Sequence, residues 1–174
     1  KGFPNKKHED WKFSDFKEII SKNFESLDTE NVKDNKNKVE TIKDFEHNNI
    51  FLVNGCLKSY NFDYEEENKV RVKTYDKNSL TFKLNDNPLI CLNHALAEDG
   101  YFLEIAKDYK CKKTLIIYNF FSSDIKNKIL NSKNQIKLNE NSEINIIEYV
   151  INNSKSKFLN NTYENIILSK NSKY

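Results

Sequence analysis

Arginine is almost missing from this chain: Arg71 is the only one, and lysine carries nearly all of the positive charge. Asparagine is frequent throughout, so the bias reflects the codon supply of an AT-rich genome rather than a chemical need. Long basic runs are also missing. The 28 basic residues face 26 acidic ones, and the net charge of +2 is dispersed, which argues against nucleic-acid binding. Long apolar runs are absent too. Hydrophobic residues make up 37% against 31% charged, so no membrane span is expected and much of the surface must be solvated. The first residues hold no apolar stretch of the kind a secretory signal needs. Cysteine is scarce and odd in number. Cys56, Cys91 and Cys111 lie far apart with no C-x-x-C pair, so neither a disulfide framework nor a zinc site is indicated, and reduced thiols in a cytoplasmic protein are expected. No P-loop, G-x-G-x-x-G, G-x-S-x-G or H-E-x-x-H occurs. The chain is therefore read as a non-enzyme, with no catalytic, cofactor-binding or metal-binding residue assigned.

What remains is enough for a modest core in one domain or two small ones. From Trp11 to about Leu27, Phe13, Phe16, Ile19, Ile20 and Phe24 keep a helical spacing, with Ser14 or Asp15 suited to start the helix. The spacing makes Trp11, Phe13 and Phe16 core anchors. Residues 28–46 read as a polar connector with one short helix. Ile50 to Val53, the turn Asn54-Gly55, and Cys56 to Tyr60 predict a β-hairpin. The acidic patch Asp63 to Glu67 reads as a solvated turn lacking calcium-loop spacing, and Val70 and Val72 mark the next strand. Pro88 breaks the chain, and Ala95 to Asp99 suggests one helical turn ending at a left-handed Gly100.

Beyond Gly100 the pattern becomes one of short apolar strands: Tyr101 to Ile105, Thr114 to Tyr118, Gln135 to Leu138, Ile144 to Val150 and Glu164 to Leu168. They carry a repeat. Ile136, Leu138, Asn141 and Ser142 recur as Ile166, Leu168, Asn171 and Ser172, and Leu103, Ile105 and Asp108 form a fainter earlier copy. A stacked solenoid explains this: each unit sends two alternate apolar side chains inward and then turns at a polar corner. The expected fold is mainly β, with a small helical and mixed region over 1–87 and the start of a parallel β-helix over 88–174. A β-sandwich is the competing fold.

The opening Gly2-Phe3-Pro4-Asn5-Lys6-Lys7-His8-Glu9-Asp10-Trp11-Lys12-Phe13-Ser14-Asp15-Phe16 resembles the start of the SufD family in residue order and spacing. Leu52-Val53-Asn54-Gly55 is similar to that family's V-N-G hairpin. Leu92-Asn93 followed by Ala95-Leu96-Ala97-Glu98-Asp99-Gly100 is similar to the segment that leads into its β-helix. The paralogous SufB shares the later β-helix but not this opening. The resemblance implies a right-handed parallel β-helix in a scaffold subunit of the SufBCD complex, which assembles iron–sulfur clusters through the partners SufB and SufC. The cluster is handled by the full complex, and the docking regions and functional Cys and His would lie beyond Tyr174, making this chain an N-terminal fragment.

His8, His47 and His94 sit in separate segments without a carboxylate or Cys at a shared ligand spacing, so surface or helix-entry histidines are expected. A β-helix also suits carbohydrate-active enzymes, the alternative function. Such an enzyme would show Asp or Lys recurring outward at the repeat interval, and only turn-like polar residues recur here.

Overall fold

The structure is a computed structural model that describes residues 4, 6, 7, 9–13, 15–24, 41–76 and 87–174. The N-terminal helix is shorter than its apolar spacing suggests. A single 3-10 turn spans Glu9–Trp11, and the helix proper, α1, runs over Phe16–Asn23. Asp15 starts it, its carboxylate accepting from the Glu18 N–H at 3.1 Å. Phe13 therefore lies in the turn before the cap, out of phase with the helical stripe, and is 92% exposed. It is not a core anchor. Phe16 is buried, and Trp11 meets it edge-on at 5.8 Å. His8 and residues 25–40, which include Leu27 and most of the 28–46 connector, lie outside the described residues; 41–47 form a strap without regular structure.

The chain is mainly β, and its described residues build two four-stranded mixed sheets. Strands β1 (Asn48–Val53) and β2 (Cys56–Asn61) form the expected hairpin, and Asn54 and Gly55 both take positive φ, as its tight turn requires. β3 (Val70–Thr74) pairs antiparallel with β4 (Tyr101–Ile105). From there the chain alternates between sheets through β5 (Leu115–Phe121), β6 (Lys128–Leu138), β7 (Ile146–Asn152) and β8 (Phe158–Leu168). The orders are β2-β1-β5-β7 and β3-β4-β6-β8, so strands from before and after residue 88 share both sheets. All pairs beyond the β1–β2 and β3–β4 contacts are parallel.

The sequence repeat coincides with the hydrogen-bond register. Leu103, Ile136 and Ile166 are direct neighbours across β4, β6 and β8, as are Ile105, Leu138 and Leu168. The corner residues Asp108, Asn141 and Asn171 take φ of 59°, 55° and 57°. Their side chains form a ladder, Asn141 donating to Asp108 at 2.6 Å and Asn171 to Asn141 at 3.2 Å. Between the sheets, Ile50, Leu52, Leu103, Ile105, Leu115 and Ile117 share one core with Ile136 and Leu138. Eight such side chains stabilise the fold by about 1.5–3 kcal/mol each before entropy is counted.

Pro88 opens a helix rather than breaking the chain. α2 spans Pro88–Leu96, with the Asn87 side chain accepting from the Leu89 N–H at 2.9 Å and Pro88 where its missing N–H costs nothing. The helix ends before Ala97, so Gly100 is not its cap. Its φ of +137° serves another purpose: a β-carbon there would lie 1.9 Å from the Lys133 carbonyl oxygen. α2 is fixed to the outside of β6 and β8 by buried Asn93, whose amide donates to the carbonyls of Ser132 (2.8 Å) and Asn161 (2.6 Å).

Candidate functional site

The residues weighed in the sequence do not converge. His47 anchors the strap: its Nδ1 lies 2.9 Å from the Phe45 carbonyl and its Nε2 2.9 Å from the Tyr118 hydroxyl. With the proton on Nδ1, Tyr118 donates to Nε2 and accepts from the Ile42 N–H at 3.1 Å. His94 lies in the last turn of α2, against the other sheet, with Lys133 Nζ of β6 3.2 Å from its Nδ1. Burial, then the Lys133 charge, pushes the His94 pKa down, and burial lowers that of Lys133, whose ammonium sits over the rings of Tyr75 and Tyr163. Cys56 donates its thiol to Asp99 at 3.0 Å, and burial with that contact pushes its pKa up to about 12. Burial raises Cys111 to about 12 as well, so neither is a ready thiolate. Among the described residues no group of three or more His, Cys, Asp or Glu could hold a metal ion.

The acidic patch is only partly a solvated turn. Glu65 accepts from the Asn48 amide (2.7 Å), the Tyr109 hydroxyl (2.7 Å) and the N–H groups of Lys112 (3.0 Å) and Lys113 (3.1 Å). Burial works to raise its pKa, but these hydrogen bonds outweigh it and hold the carboxyl below the usual range. Its partners lie far along the chain, so no local signal marks it.

The described strand stack lies open at the edge formed by β7 and β8. Each is one of the two edge strands of its sheet, presenting N–H and C=O groups on its free side. The inward columns that are closed one strand earlier lie open here. Ile136 and Leu138 are fully buried, whereas Leu168 is 53% exposed, and Val150, beside Asn119, is 59% exposed. Two carboxylates share this face. Asn119 donates to Glu148 at 2.7 Å, and the Tyr101 hydroxyl lies 3.2 Å from Glu164. Burial first, then the Glu148 charge, raises the Glu164 pKa against the pull of that hydroxyl. The alternation and the repeat placed Ile166 and Leu168 in an inward column; nothing in the sequence flagged Glu148 and Glu164 as neighbours. An exposed pair of apolar strand edges can add strands from another surface; the described geometry forms no triad or metal cage.

Set against known proteins, the chain matches no family model and no curated protein. No described helix is long and apolar enough to cross a membrane.

Proposed function

We propose that the chain forms the first coils of a right-handed parallel β-helix and acts in the cytosol as a non-enzymatic scaffold of the SufD kind, in iron–sulfur cluster assembly. The observation that carries this reading is the coincidence of the repeat with the parallel register, Leu103–Ile136–Ile166 beside Ile105–Leu138–Leu168. A coil that stacks at a fixed interval is what a β-helix requires. The segments behind the resemblance also have structural work to do. Asn54-Gly55 makes the first hairpin, and Asp99-Gly100 brings the chain against the Lys133 backbone at the start of β4. Function then lies in docking to protein partners, through regions that the resemblance puts beyond Tyr174, with the cluster as cargo of the assembled complex.

The test is co-expression of the gene product at its natural length with SufB and SufC. One complex holding all three is expected. Purification of the gene product without either partner, under conditions where SufB and SufC still bind each other, would overturn the reading.

A further inference from the structure

A groove of about 510 Å³ lies at the far end of the first sheet from β7, between the strap and the β1–β2 hairpin. Its floor comes from residues that the hairpin register sets side by side: Asn49 opposite Asn61, and Phe51 opposite Ser59. Its walls carry two aromatic rings, Phe45 on the strap and Tyr64 in the turn after β2, 45% and 39% exposed. These walls are held before any ligand arrives. The hydrogen bonds among Phe45, His47, Tyr118 and Ile42 fasten the strap to β5. Lys113 ties strap to turn, pairing with Glu46 at 2.7 Å while sitting 5.5 Å from the centre of the Tyr64 ring.

We infer that this groove binds a short neutral saccharide, its ring faces stacked on Phe45 and Tyr64 and its hydroxyls bonded by Asn49, Ser59 and Asn61. The chemistry selects that class. Aromatic rings flanking amides and a hydroxyl match a ligand with apolar C–H faces and a polar rim. The size falls within the range of small-molecule sites, about 300–1000 Å³. Asp63 and Glu46 line the groove, the latter paired with Lys113, and no lysine or arginine among the described residues is itself in the lining, so a neutral sugar suits it better than a phosphorylated or carboxylated one. Asp63 is oriented by its neighbour, accepting from the Asn61 amide at 2.6 Å. This inference stands apart from the scaffold reading, because the groove shares no residue with the β7–β8 edge.

The experiment titrates the chain with maltose, cellobiose, lactose and chitobiose, followed by calorimetry and by amide chemical shifts. At least one should bind saturably with a Kd of about 1 mM or tighter. Phe45→Ala and Ser59→Ala should each weaken it, the first by about tenfold, while Phe13→Ala, an exposed ring outside the groove, leaves it unchanged. The proposal is overturned if no saccharide binds, if binding survives both groove variants, or if a lysine-rich peptide occupies the groove in preference to every sugar.

Discussion

At Gly100 the chain comes so close to its neighbour that a side chain has no room. A β-carbon would meet three backbone atoms of Lys133, the nearest at 1.9 Å, and φ of +137° is a conformation that L residues rarely adopt. Backbone on both sides means neither partner yields without moving β4 against β6. Gly55 is a milder case: its added carbon would meet only the Ser132 side chain, at 2.8 Å. Gly100→Ala should therefore lower stability by about 2–4 kcal/mol in urea unfolding, and Gly55→Ala by less. The reverse order would mean that the close approach does not position β4. The sequence marked Gly100 as special, but for a helix end, because the atoms that demand glycine lie 33 residues onward. Glu65 was obscured in the same way, since an acidic run looks solvated until Asn48, Tyr109 and the Lys112 and Lys113 amides are folded around it. Asn141 and Asn171 were legible as corners because their own backbone conformation, at positive φ, is what favours asparagine there.

Strands were legible where side chains alternate between core and solvent. Tyr101–Ile105 was readable to the residue, since its burial alternates strictly. β6 and β8 are longer than the apolar pattern suggested, because buried Asn131, Ser132, Lys133 and Asn134 continue β6 under α2. Their polar groups are met partly by the helix and the adjacent strand, as with Asn161, which donates to Leu89 and Asn131. Periodicity cannot see that kind of burial. The open edge was half legible: the repeat set Ile166 and Leu168 in an inward column, but exposure is a property of the stack. Edges like β7 and β8 template association when they are apolar and unguarded. The chain should therefore associate as its concentration rises, and Val150→Lys with Leu168→Lys should keep it monomeric without unfolding it. Light scattering across a concentration series decides this, and an unmodified chain that stays monomeric throughout would remove the edge as an adhesive surface.

For the molecule as a whole, stability against pH sums groups whose shifts have opposite signs. Glu104 is held below the usual carboxylate range, first by the Lys137 hydrogen bond, against burial, with help from Asn139 and Arg71. Glu65 is low as well, burial being outweighed by its four donors. Both contribute stability above their unfolded pKa of about 4.3 that is lost as pH falls through their lower folded values. The folded chain should thus weaken in acid below about pH 4. His94, pushed down by burial and Lys133, binds its proton less readily when folded, and so also costs stability as pH falls below about 6.5. Glu164 runs the other way. Burial and Glu148 raise its pKa, so the folded state takes up a proton more readily than the unfolded one and gains stability as pH falls through the folded value. A profile of the unmodified chain mixes these slopes, whereas its difference from Glu164→Gln cancels the contributions that the two proteins share. Relative to the unmodified chain, the variant should be more stable at pH 7 than at pH 4, the change falling just above the ordinary glutamate range. Urea unfolding at closely spaced pH values measures this directly. A difference that stays constant would show that Glu164 and Glu148 do not share a desolvated face, and that the inward columns are less enclosed at β8 than the structure places them.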